Sequence, residues 1–124
     1  MNIVKKNDVS PIQSNHGEIV YELIGRAGGG TSERHSVAHV VIPPGKSSRL
    51  HLHPEAEESY YMICGQARFV LDGESTIIGP GQTVLIPPNK SHQITNIGSE
   101  DLEFLAICVP AWEPANSIYL DDAE

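Results

Sequence analysis

The sequence predicts an all-β fold, and three observations carry that prediction. Short β-rich runs alternate apolar and polar side chains. Turn signatures built from Gly, Pro, Asn and Asp interrupt those runs at the spacing of sandwiches and barrels. No long stretch keeps a helical apolar period without meeting one of the 11 Gly or 9 Pro. With 124 residues, 40% of them hydrophobic, the chain is sized for one core and one domain.

Taken in order, residues 1–15 are a polar lead-in. Residues 18–24 alternate, with Ile19, Tyr21 and Leu23 on one face and Glu18, Val20, Glu22 and Ile24 on the other, as a strand requires. The loop that follows contains Gly28-Gly29-Gly30, but it lacks the Lys-Ser/Thr of a phosphate-binding loop and opens no helix. Residues 36–42 form a second strand, ended by Pro43-Pro44-Gly45. Residues 49–53 alternate until Pro54 breaks them, and 59–64 is a strand ended by Gly65. Runs 67–71 and 75–78 flank Asp72-Gly73, the signal for a type I′ hairpin turn. Strands at 83–86, 92–96 and 102–109 follow, separated by Pro87-Pro88-Asn89 and a turn at 98–101. The tail, 111–124, carries Trp112, Ile118, Tyr119 and Leu120, which fits packing on the body; Trp112 reads as a plug at one end or a dimer edge.

Composition excludes several partners. The formal charge of −8 disfavours nucleic acid, which selects clustered Lys and Arg, and disfavours an anionic membrane surface. No apolar run approaches the ~20 residues of a spanning helix. The polar start, with Lys5 and Lys6 and no apolar signal core, fits a cytoplasmic protein. Cys64 and Cys108 lack the paired spacing of a zinc site, and in that compartment they read as reduced thiols that pack or line a cavity.

One segment carries chemistry. In an extended chain, side chains at i and i+2 share a face, so His51 and His53 point together and Arg49 with them. After Pro54 turns the chain, Glu58 begins the next strand and can return a carboxylate to that face. If Glu58 faces inward, Tyr60 and Met62 do too, and Tyr61 and Ile63 face a second layer. Glu57 is the competing carboxylate, and His92 opens a later β segment. Two imidazoles and a carboxylate are a common kit for Fe, Mn, Ni or Zn. His39 reads as a partly buried structural residue and His16 as a loop residue. Tyr60 could donate a hydrogen bond into a pocket or simply pack, and Arg49 could meet an anionic substrate or stay in a rim ion pair.

These residues resemble the two motifs of the cupin superfamily. Gly45, His51, His53, Glu58 and Gly65 match the first motif, with four residues before the Glu. Gly81, Pro87, His92 and Asn96 match the second, and Asn89 stands where Gly is usual, a position Asn can fill because it tolerates left-handed backbone. The resemblance implies a double-stranded β-helix, a jelly-roll barrel, over residues 16–110. It implies one divalent transition metal per chain held by His51, His53, Glu58 and His92, with open positions for water or substrate, and so turns Glu58 alone of the 16 acidic residues inward. It also implies a homodimer, for which 18–24 is the candidate strand to cross to the partner.

Three functions are then open. The first is a metal-dependent enzyme, a dioxygenase or a lyase/decarboxylase, on a small organic and conceivably anionic substrate, with Arg49 and Tyr60 as pocket candidates. A sugar isomerase or epimerase comes next, with little aromatic stacking surface to support it, since Trp, Tyr and Phe number 1, 4 and 2. The third is non-catalytic: a module that binds a small ligand through the metal, or an interaction protein whose metal is purely structural. No second carboxylate or base can be placed beside the metal from the sequence.

Overall fold

The structure, a computed structural model, describes residues 1–121. Its regular elements are almost all strands, in two antiparallel sheets. The larger sheet contains β1 (Ile12–Gln13), β2 (Ile19–Gly25), β4 (Ser36–Ile42), β11 (Leu102–Val109), β6 (Glu57–Cys64) and β9 (Thr83–Ile86) in that order, with β3 (Gly30–Thr31) alongside β2. The smaller contains β12 (Ile118–Tyr119), β5 (His51–Leu52), β10 (His92–Asn96), β7 (Ala67–Leu71) and β8 (Glu74–Ile78). The chain alternates between sheets, so a jelly-roll barrel closes around one core.

Local chemistry accounts for the hairpins. β7 and β8 join through Asp72 and Gly73 at φ 48° and 83°, the double left-handed geometry of a type I′ turn, and Leu71 pairs with Glu74. Asn89 takes φ 65°, and its N–H donates to the His53 carbonyl at 2.7 Å. β6 alternates in burial: Glu58, Tyr60 and Met62 are inside. Tyr61 and Ile63 do not meet a second layer; they are 44% and 42% exposed, because no element of the described chain covers the outer face of this sheet.

The core is concentrated at one end of the barrel: Ile42, Met62, Ile94, Leu102 and Phe104 are essentially inaccessible. Three rows cross the larger sheet's inner face. Val20, Val40, Phe104 and Met62 form one; Glu22, Ala38, Ala106 and Tyr60 the next; Ser36, Cys108, Glu58 and Ile86 the third. The first is bulky and packed. The other two are small or polar toward their middle, which leaves space. β2 pairs within its own sheet, with β4 on one side and β1 and β3 on the other. Contrary to the expectation from the motif resemblance, Glu58 is not alone inside, because Glu22 is also buried.

Candidate metal centre

His51 lies on β5, His53 just beyond it, His92 opens β10 directly opposite His51, and Glu58 reaches across from β6 in the other sheet. The structure brings these four residues together: one ligand atom from each lies within 4.8 Å of all the others. The three imidazole rings are 4.2 to 5.5 Å apart by centroid. Glu57, the competing carboxylate, is exposed on the outer face.

Each histidine is fixed through its other nitrogen. Nδ1 of His51 donates to the Arg49 carbonyl at 2.7 Å, Nδ1 of His92 to the Lys90 carbonyl at 3.0 Å, and Nδ1 of His53 to the Asn116 carbonyl at 3.1 Å. A carbonyl can only accept, so Nδ1 carries the proton and Nε2 presents a lone pair. His53 Nε2 and His92 Nε2 stand 3.4 and 3.2 Å from Glu58 Oε1. None of these three buried atoms has a partner in hydrogen-bond geometry. Buried acceptors facing one another cost free energy, and a divalent cation at their focus satisfies all of them. The donor set therefore fits a metal ion, and neutral imidazole nitrogens with one carboxylate suit the transition series.

Without an ion the rings differ: burial pulls the His53 pKa down, but Glu58 beside it prevails and raises it, whereas His51 is held low. Burial above all, then the charge of His92, holds His51 down at about 4, so its ring is neutral near pH 7. For Glu58 burial pulls upward, but His53 and His92 beside it prevail and set the carboxyl at about 2. Burial, followed by the Glu58 charge, raises the Tyr60 phenol well above its usual value. Burial likewise pushes the Cys108 thiol up to about 12. Tyr60 is therefore a neutral donor and Cys108 an inert thiol.

The cluster borders a cavity of about 230 Å³, below the ~300–1,000 Å³ of drug-sized ligand pockets, so it suits a small molecule. Ala38, Val40, Phe104, Ala106 and Trp112 give it an apolar lining, and Glu18, Glu22, Arg49 and Tyr60 also reach it. Tyr60 packs against Phe104, with centroids 4.6 Å apart, and edge-on to His92. Arg49 donates to Asp121 at 2.9 Å and lies over the Tyr119 ring at 4.0 Å. Its guanidinium sits in an ion pair at the mouth while still lining the cavity. His39 is on the outer face, hydrogen-bonded to Glu103 at 2.9 Å, and His16 approaches Asp121. Both cysteines are free thiols; Cys108 lines the cavity and Cys64 donates to the Glu103 carboxylate. Sequence reasoning missed the acidic wall contributed by β2. The alternation placed Glu18 and Glu22 on one face, but nothing local marked that face as the inward one.

Comparison with known proteins extends the picture. The family described as "Cupin domain" matches residues 38–108, more than half the chain. An uncharacterized protein of Methanocaldococcus jannaschii is 30% identical over 123 residues, covering 98% of both chains. The "Oxalate-binding protein" of Thermotoga maritima is 38% identical over 72 residues, 58% of this chain and 60% of that one. Among solved structures, the oxalate decarboxylase of Lactobacillus farciminis in its formate complex superimposes with a TM-score of 0.79 at 28% identity, covering 92% of this chain and 34% of that one.

Proposed function

The chain belongs to the cupin family, and we propose that it holds one divalent transition metal (Fe, Mn, Ni or Zn) on His51, His53, Glu58 and His92 and acts as a metal-dependent enzyme on a small organic substrate. The observation that carries this reading is a set of converging, buried, unpartnered ligand atoms beside a cavity a substrate can enter. When bound, such an ion supplies Lewis-acid polarisation or, for iron, redox chemistry with O₂. Lyase/decarboxylase and dioxygenase chemistry head the list on that basis. The protein's own residues supply the setting. Nδ1 hydrogen bonds hold the imidazoles in one tautomer, Val40, Phe104 and Ala106 limit water, and the Tyr60 phenol offers a proton-bearing donor on the cavity wall. Metal analysis should find about one ion per chain, lost in His51→Ala. Near-zero metal in protein produced with ample Fe, Mn, Ni and Zn would overturn the proposal.

One observation favours a second reading. The Thermotoga relative, 38% identical over the matched region, is named for binding rather than turnover. A non-catalytic cupin would bind a small ligand reversibly with no product, so ligand recovered unchanged after incubation with metal-loaded protein separates the two. The outer face of the larger sheet supports a homodimer: Tyr61, Ile63, Leu85, Ile107 and Val109 are all more than a third exposed there. Light scattering should give twice the chain mass, reduced to one chain mass by Tyr61→Glu. The two free thiols support a reducing, cytoplasmic setting. No described helix is long and apolar enough to cross a membrane.

A further inference from the structure

The cavity has a second charged wall that metal binding leaves unused. Glu22, on β2, is only 5% exposed, yet it lines the cavity. Its Oε2 accepts the Ala27 N–H at 3.0 Å, and among the described residues no Lys or Arg forms an ion pair with it. Burial raises its pKa, with the Ala27 N–H partly opposing, so the ionised carboxylate here is poorly compensated. The backbone makes room for it: a Cβ on Gly25 would stand 2.8 Å from Glu22 Oε1. A buried acid with no cation, accommodated in this way, calls for a counterpart that enters the cavity.

The register gives its position relative to the metal centre. Glu22 shares a cross-strand row with Ala38, Ala106 and Tyr60, and Tyr60 is two residues from Glu58 on the same face of β6. Three strand spacings, about 14 Å along the sheet, separate Glu22 from Tyr60. The two residues between them are alanines, so nothing in that row blocks a molecule lying across it. Glu18, just before β2, also lines the cavity.

We propose that Glu22 is a specificity-determining residue that receives the cationic, hydrogen-bond-donating end of a small amphoteric substrate whose oxygen-donor end lies at the metal. The inference rests on the metal reading above. It separates this chain from ligands that are anionic at both ends, since a second carboxylate would face Glu22 across the cavity.

The test uses the full chain loaded with Co(II), whose visible spectrum reports a ligand arriving at the metal. It is titrated with length-matched pairs: γ-aminobutyrate against succinate, and δ-aminovalerate against glutarate. The amine-bearing member should bind about tenfold tighter, the expected scale for one charge-assisted pair. Glu22→Gln, which keeps an acceptor for the Ala27 N–H, should bring each pair to within about threefold while leaving cobalt stoichiometry unchanged. Glu22→Asp, which keeps the charge but withdraws it by one methylene, should shift preference toward δ-aminovalerate; it and the wild-type ratio decide the matter if Glu22→Gln does not fold. Wild-type protein that loads cobalt but binds the dicarboxylates as tightly, or binds neither series, overturns the inference alone. So does an unchanged ratio in Glu22→Gln, the result expected if Glu22 only ties down the 25–29 loop. A protein that takes up no cobalt overturns the metal reading as well.

Discussion

The two ends of the larger sheet's inner face are made from the same strands and differ in side-chain size. At one end Val20, Val40, Phe104 and Met62 meet across β2, β4, β11 and β6 and fill the space between the sheets. Two residues further along those strands, Ala38 and Ala106 leave that space open, and beyond them Ser36, Cys108 and Glu58 make it polar. One end of the barrel stabilises the fold and the other provides a chamber. The division follows from a few small residues on adjacent strands, and a β-bulge on β2 just after Glu22 falls at the open end.

Substitutions can break that contrast at either end. The largest effect is expected at the polar end: His92→Ala removes a fully buried ligand and should weaken metal binding by more than about 100-fold, the upper range for disturbing a residue that merely supports a ligand. Equilibrium dialysis against Zn(II) or Co(II) measures it, and an unchanged affinity would remove His92 from the site. At the packed end Phe104→Ala should cost about 3–5 kcal/mol in denaturant unfolding and leave metal stoichiometry at one. A cost under about 1 kcal/mol would show that the packed end is not the seat of stability.

Acid sharpens the contrast, because His51 and Glu58, two buried groups with large shifts, both lie at the polar end. In chelator-treated protein, His51 titrates at about 4 when folded against 6.5 unfolded, so between those values the unfolded chain binds more protons. The His51 contribution is therefore fully present above pH 6.5 and is lost as pH drops toward 4, by up to roughly 3 kcal/mol. His53, where Glu58 overcomes the pull of burial and raises the pKa, instead contributes stability that is lost as pH climbs above 6.5. Glu58, at about 2 against 4.5, extends the acid loss below pH 4.5 with the same sign as His51. Unfolding midpoints across this range should slope downward into acid, and a flat profile would contradict the buried neutral His51. The smallest effect is expected from Ala106→Leu, which makes the open row resemble the packed one. It should cost about 1–3 kcal/mol, retain the metal and abolish small-ligand binding by filling the chamber.

The parts of this architecture that were legible in the sequence are those where local spacing does the work. The Asp72-Gly73 turn, the β6 parity that buries Glu58, Tyr60 and Met62, and the shared face of His51 and His53 each follow from neighbours within a few residues. Other features depend on partners far along the chain. β1 and β12 are two residues long and exposed, so no alternation marks them; they exist because β2 and β5 offer edges to pair with. On β2 the more apolar set, Ile19, Tyr21 and Leu23, lies on the outer face, and the acidic set faces the chamber. Hydrophobicity alone points the other way there, because a ligand chamber and an uncovered sheet face exchange the usual preferences of inside and outside. Arg49 illustrates the same limit: its parity is local, but its partner Asp121 lies 72 residues away.

The His53 ring is held by the Asn116 carbonyl at 3.1 Å and lies 3.2 Å from the Ser117 hydroxyl, and Leu120 then donates its N–H to the Leu50 carbonyl. This makes the C-terminal segment a thermodynamic partner of the metal centre. Whatever tightens ligation at His53 also tightens residues 116–120 onto β5, and by reciprocity whatever detaches that segment releases the ring. Occupancy of the centre is thereby transmitted to a surface strand, where amide exchange and protease sensitivity can follow it.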